Sequence, residues 1–134
     1  MILGIGVDVV EVPSFREIIN DPTSVFKKRH FTPNEIAYCE GHKGHDPVLH
    51  YAGRYAAKEA LLKAAMTAFR DPAALGHISF LEIEMITEND VGVTVEVHGK
   101  LKNYVEASTV KISKIHVSVS HEVNTAVAMV VLEG

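Results

Sequence analysis

The sequence has no tryptophan and one cysteine, Cys39. A single cysteine excludes an internal disulfide, so no covalent staple holds the fold, and this usage fits a reducing cytoplasm. A nucleophilic role for Cys39 is weaker than burial on a helix face, because no activating partner lies beside it. The shortage of cysteine, together with the absence of HExxH or CxxC spacing, also makes a zinc site poor despite eight histidines, including His42, His45 and His50. No apolar run reaches the roughly 20 residues of a membrane span, which argues against a membrane protein. The first residues, MILGIGVDVVEV, carry no basic leader and meet Asp8 early, the pattern of a strand rather than of a signal peptide. Positive charge is also scarce. Thirteen Lys and Arg against 17 Asp and Glu leave a net charge of −4, which argues against a nucleic-acid binder.

What remains is the composition of one globular domain: 134 residues, 47% hydrophobic and 22% charged. Ile2 to Val12 alternates as a strand, with Leu3, Ile5, Val7 and Val9 on one face and Gly4, Gly6 and Asp8 on the other. The two glycines predict close approach by a helix or ligand, with open space beside one carboxylate. Pro13 and Ser14 open a short helix that stops at Asn20-Asp21-Pro22. Thr32-Pro33-Asn34-Glu35 starts another with a capping box, ending near Gly41. Asp46-Pro47 caps the longest helical pattern, Val48 to Phe69, which Asp71-Pro72 closes. Ile78 to Thr87 and Val91 to His98 read as a hairpin around ENDVG, and Leu101 to Ala107 as a short helix. Ile112 to Ser120 and Thr125 to Leu132 are strands joined by HEVN. Segregated helices and mainly antiparallel strands predict an α+β fold, one long and several short helices packed on the sheet.

Charges in unexpected places carry the chemistry. The otherwise apolar stretch RYAAKEALLKA holds Arg54, Lys58, Glu59 and Lys63. Glu59 and Lys63 lie four apart and taken alone are an ordinary surface ion pair, worth well under ~1 kcal/mol. Arg54 and Lys58 also lie four apart and repel, which an anion between them would relieve; phosphate uses both side chains well. The competing reading is a solvated face. Asp8 is unfavourable inside a strand, and with Glu59 it would give the oxygen ligands that Mg²⁺ prefers. In IHVSVSHE, alternation places His116, Ser118 and Ser120 on one face, either facing solvent or forming a donor row for phosphate oxygens. The knot Lys27-Lys28-Arg29-His30 reads as a solvated helix end or, with Arg16, as a docking patch for an acidic partner.

GIGVDVVEV, GRYAAKEALLKA and IHVSVSHEVNTAVAMVVLE occur in that order, with FTPNEIAYC between the first two. Together they resemble the holo-acyl-carrier-protein synthases, the short bacterial 4′-phosphopantetheinyl transferases, across nearly the whole chain. The resemblance implies the 4′-phosphopantetheinyl transferase fold over residues 1–134. It also implies transfer of the phosphopantetheine arm of coenzyme A to a serine of an acyl carrier protein in fatty acid biosynthesis, leaving adenosine 3′,5′-bisphosphate. Asp8 and Glu59 match the family's metal ligands for Mg²⁺, and Lys63 matches its pyrophosphate lysine. Arg54, Lys58, His116, Ser118 and Ser120 fall where relatives bind coenzyme A; Glu59, Lys63 and His116 are the implied catalytic residues. The general base stays open between Glu59 and a metal-bound water. Short members are homotrimers with active sites between subunits. Tyr55 departs from the phenylalanine or tryptophan common there, and MTAFRDPAALGH is longer and poorer in glycine than usual, leaving Arg70 as a substitute contact for the adenosine 3′-phosphate. A coenzyme A or nucleotide-binding module without catalysis competes with the transferase, as does a structural trimer; intact Asp8, Glu59 and Lys63 count against both.

Overall fold

In chain order the elements are β1 (Ile2–Glu11), α1 (Val12–Asn20), α2 (Phe26–His30), α3 (Pro33–Glu40), α4 (Pro47–Phe69), α5 (Pro72–Leu75), a 3₁₀ turn (Phe80–Glu82), β2 (Ile83–Thr87), β3 (Val93–Val97), α6 (Gly99–Ala107), β4 (Lys114–His121) and β5 (Thr125–Glu133). This computed structural model describes residues 1–88 and 92–134, so the expected ENDVG turn lies partly outside the described residues. The first hairpin strand is shorter than its sequence pattern, because Phe80–Glu82 winds into the 3₁₀ turn before β2 begins. Lys27 to His30 lies within a short helix of its own rather than at the end of a longer one.

Two antiparallel sheets result, one ordered β1-β5-β4 and the other a β2-β3 hairpin. Helix α4 lies across one face of the larger sheet. Its contact with β1 explains Gly4 and Gly6: a Cβ at either position would collide with the backbone carbonyl of Ala64 or Ala60. The close approach is to a helix, and the space beside Asp8 is filled by α4. On the same face, β5 contributes Ala126, Ala128, Val130 and Leu132, against Ala56, Ala60, Leu61 and Ala64 of α4, all buried. Small residues on both sides bring the two layers close. Among the described residues the opposite face has no such cover. Ile5, Val7, Val9 and Met129 are 55%, 53%, 63% and 49% exposed, a contiguous apolar surface because Val7 pairs with Met129 and Val9 with Val127.

Local signals set the helix ends. Thr32 and Glu35 form the expected capping box on α3, and the Asp46 side chain accepts from the Val48 N–H at the start of α4. Helix α4 ends on Arg70 in a left-handed conformation, φ 56°. Glu35 does more than cap. Its carboxylate sits in the interior, accepting from Thr32 N and Lys58 Nζ on one oxygen and from Met85 N on the other, at 2.9, 2.6 and 3.0 Å.

Lys58 therefore overturns the expectation of an anion held between it and Arg54. It is fully buried, and its ammonium donates to Glu35 and to the carbonyls of His30 and Phe80 at 2.6, 2.6 and 3.0 Å. A lysine has three N–H donors and all three are used, so none remains for a phosphate. Burial pulls the Lys58 pKa below the ordinary lysine value, and Glu35 is the main influence opposing that pull. The pair joins α3, α4, β2 and the ends of α2 and the 3₁₀ turn at one buried point. Lys58→Ala strands the Glu35 charge and is expected to cost about 3–5 kcal/mol, read by urea unfolding. The double change E35Q/K58M removes both charges and should cost less than Lys58→Ala alone.

Candidate active site

Tyr55, Glu59 and Lys63 follow one another at four-residue spacing, so they form a single row along α4. The row runs beside the Asp8 face of β1, which the glycine contact has drawn against the helix. Lys63 Nζ reaches across the gap to donate to Asp8 Oδ1 and to the Val7 carbonyl, each at 3.0 Å. It does not pair with Glu59, the partner that helical spacing alone selects. The Asp8 side chain is 17% exposed and that of Lys63 is 52% exposed, so the carboxylate is sheltered while the ammonium stays open to solvent. Burial lifts the Tyr55 phenol to about 12, and the charges of Glu59 and then Asp8 add to the effect. Lys63 ties Asp8 to the helix face that also carries Glu59, one turn away. Two carboxylates without nitrogen or sulfur ligands form a donor set that suits a hard divalent cation such as Mg²⁺, which keeps several waters.

The remaining expected residues do not join this row. His116, Ser118 and Ser120 share a face of β4 as the alternation requires, but it is the face turned away from α4. Their inward neighbour Val119 is the one that meets Gly53 of the helix. Within one chain the sheet separates them from Asp8, Glu59 and Lys63. His116 Nε2 lies 3.0 Å from Glu133 Oε1, and this contact holds the Glu133 carboxyl below its usual range. Arg54 lines a separate cavity of about 260 Å³ with Tyr38, His50, Thr87 and His121. It is 7% exposed, donates to Thr87 Oγ1 at 2.9 Å and stacks 3.9 Å from the Tyr38 ring centroid, while its buried Nε has no partner among the described residues. A guanidinium that lines a cavity is a natural place for an anion.

Other features were not legible in the sequence. Glu84 and Glu96 face each other across β2 and β3, and with His98 they form the one three-donor metal-type cluster among the described residues. Glu84 is buried and accepts from Thr32, which holds its pKa down, with His98 assisting. His42, His45 and His50 gather near one another, His45 exposed and the other two half-buried. His50 lies 5.2 Å from His42, 5.8 Å from His45 and 6.2 Å from His121, ring centroid to centroid. Cys39 is buried as expected, and burial pushes its thiol up to about 12, far from a reactive thiolate.

Burial first, and then His42, Arg54, His121 and His45, pull the His50 pKa below 6.5. The folded state therefore resists protonating His50. The sign follows: the associated stability is present in full above 6.5 and is lost as pH falls through the lowered folded value. Unfolding free energy should decline between about pH 7 and pH 5, and His50→Gln should make that decline shallower in denaturant titrations.

Comparison with known proteins agrees with this architecture. The profile of the 4′-phosphopantetheinyl transferase superfamily matches residues 4–128. The holo-[acyl-carrier-protein] synthase of Geotalea daltonii is 37% identical over 134 residues, covering 99% of each chain. That of Nocardia farcinica is 36% identical over 133 residues, covering 98% of this chain and 88% of the relative. The ACPS-CoA complex of Chronobacterium ammoniagenes has a TM-score of 0.82 at 29% identity, over 96% of this chain and 95% of that one. The holo-[acyl-carrier-protein] synthase of Neisseria meningitidis has a TM-score of 0.80 at 30% identity over 100% of both chains. The chain belongs to the 4′-phosphopantetheinyl transferase superfamily and, within it, to the holo-acyl-carrier-protein synthases, which makes it a transferase.

Proposed function

We propose that the protein transfers the 4′-phosphopantetheine arm of coenzyme A to a serine of an apo acyl carrier protein, in support of fatty acid biosynthesis in the cytoplasm, as a homotrimer with Mg²⁺-dependent sites between subunits. The observation that carries this reading is the division of the site residues between two faces of one sheet. Asp8, Glu59 and Lys63 gather at the α4 edge, while His116, Ser118 and Ser120 face the other way, on the same side as exposed Ile5, Val7 and Met129. An apolar face that associates with further copies would bury itself and carry His116 toward a neighbour's Asp8 and Glu59.

In the reaction the serine oxygen forms a bond to the phosphorus that bears the pantetheine. The bond from that phosphorus to the bridging diphosphate oxygen breaks, and adenosine 3′,5′-bisphosphate leaves. Such a transfer depends mainly on positioning and on neutralising charge. Asp8 and Glu59 would hold Mg²⁺, whose contribution when bound is to polarise the diphosphate. Lys63, half open to solvent, is placed to offset charge growing on the leaving group, and His116 of a neighbouring copy adds a second donor. Glu59 or solvent takes the serine proton. The cavity lined by Arg54, His50 and His121 offers a place for a further coenzyme A phosphate. Lys58 has no part in this, being committed to the core.

Subunit mixing tests the arrangement. Glu59→Gln and His116→Ala should each be nearly inactive alone, and each should remain trimeric by light scattering. Refolded together in equal amounts, they should regain about a quarter of wild-type activity, because random assembly pairs an intact Glu59 with a neighbour's intact His116 at that frequency. No recovery from the mixture would place both residues in a site made by one chain.

The basic patch takes a different form from the expected one. Arg16 is paired with Asp46 at 2.6 Å and Lys27 with Glu40 at 3.1 Å, whereas Lys28 and Arg29 have no ion-pair partner among the described residues. Lys28 and Arg29, rather than Arg16, are therefore the charges left to draw an acidic carrier. K28E/R29E should raise the KM for carrier protein several-fold at low salt, with the KM for coenzyme A unmoved and the effect fading as salt shortens the screening length to about 8 Å. Steady-state kinetics at two salt concentrations read the outcome.

A further inference from the structure

The geometry points to a cation site on the β2–β3 hairpin, independent of Asp8 and Glu59. Glu84, Glu96 and His98 converge there as ligands for a divalent cation of the zinc class, one that accepts nitrogen as well as oxygen.

Three observations lead to it. The first is that the donor atoms are already gathered. One atom from each residue lies within 4.8 Å of the other two, with His98 Nε2 standing 3.3 Å from Glu84 Oε1 and 4.0 Å from Glu96 Oε2. Ligand atoms bound at about 2.0 Å around a tetrahedral cation are about 3.3 Å apart. The first pair is therefore at ligand spacing, and the exposed Glu96 side chain has only to swing inward. The second observation is charge. Glu84 and Glu96 stand directly opposite each other in the ladder, where like charges repel. The Glu84 side chain is 8% exposed, yet no lysine or arginine pairs with it among the described residues. Its one ion-pair neighbour is an imidazole, which carries charge only when protonated. Two carboxylates and a neutral imidazole balance a divalent cation to zero net charge, which lowers the cost of keeping Glu84 out of water. The third is that the donors are held in advance. The Thr32 hydroxyl accepts from the Glu35 N–H and has one proton to give, which goes to Glu84 Oε2. That leaves Oε1 turned toward His98. The His98 backbone is pinned as well, its N–H donating to the Glu82 carbonyl at 2.8 Å and its C=O accepting from Lys102 N at 3.2 Å.

Three protein donors leave a fourth position for water. A cation held there ties β2 to the end of β3 and to the start of α6, since His98 is the residue on which that helix begins. Mg²⁺ prefers oxygen ligands and matches this mixed set poorly, whereas imidazole suits Zn²⁺ and its close substitute Co²⁺. The oxygen-only pair Asp8 and Glu59 has the opposite preference, so the two places can be told apart by the metal each takes.

Co²⁺ is the probe, titrated into wild type, E96Q, H98Q and H50Q with Mg²⁺ in large excess to fill oxygen-only sites. Calorimetry and the visible Co²⁺ spectrum read the binding. Wild type should take up one Co²⁺ per chain with the strong visible absorption of a four-coordinate ion. E96Q and H98Q should each bind at least about tenfold more weakly, because losing even a group that only orients a metal ligand costs that much. Glu96 and His98 are 60% and 46% exposed, so neither replacement opens the core. Zn²⁺ should raise the melting temperature of wild type more than that of E96Q or H98Q. H50Q, which alters the separate cluster of histidines, should bind Co²⁺ as wild type does. Binding lost in H50Q and kept in H98Q would move the ion to the histidines around His50 and overturn the inference. No uptake by wild type would overturn it too. Undiminished uptake in E96Q and H98Q would do the same, leaving Glu84 and His98 as a plain ion pair.

Discussion

The contact between β1 and α4 is the constraint from which the candidate site follows. Two glycines on the strand and a line of alanines on the helix allow the backbones to meet where any larger pair of residues would hold them apart. At that separation a lysine on the helix can reach a carboxylate and a carbonyl on the strand together. A methyl group at Gly6 would meet the Ala60 carbonyl, so the geometry between Asp8 and the Glu59–Lys63 row is set by backbone packing and is only completed by the polar side chains. Interiors at this density shift as units, which suits a site needing fixed distances between charges.

The interior carries a second constraint of a different kind. The Glu35–Lys58 pair places both charges out of water, a cost offset because all three Lys58 donors and both Glu35 oxygens are hydrogen-bonded. Its members sit on α3 and α4, and the groups they bind belong to β2 and to the ends of α2 and the 3₁₀ turn. The α2 end and the turn also place His30 and Phe80 against the ring of Tyr55, at 5.9 and 5.4 Å between centroids. The buried pair and the first residue of the exposed row thus touch the same two short segments.

Charge along α4 is accordingly divided among separate tasks. Lys58 holds the core together, Arg54 faces a cavity with one nitrogen unsatisfied, and Glu59 and Lys63 face the strand. A helix with residues buried on nearly every side can present four ionisable groups only if each faces a different neighbour. The sheet behind it makes a similar division, with a close-packed inner face and an outer face whose apolar residues remain uncovered in the single chain.

Local order was legible in the sequence by itself. The capping box at Thr32 and Glu35, the Asp46-Pro47 start of α4, the alternation of β1 and β4, and the α+β class all depend on neighbours within a few residues, so spacing and residue type suffice. The family was legible too, because its three motifs keep their order and identity along the chain. What spacing could not decide was the partner of each charge. Lys58 and Arg54 share a helical face by periodicity, yet Lys58 turns to a glutamate 23 residues away and Lys63 to an aspartate 55 residues away. His116 belongs to the expected motif but lies across the sheet from the residues it was expected to join, since the side on which α4 packs is a property of the assembled layers. Periodicity determines which residues share a face; only tertiary packing determines what that face meets, because the desolvation and pairing that give a charge its role come from segments distant in sequence.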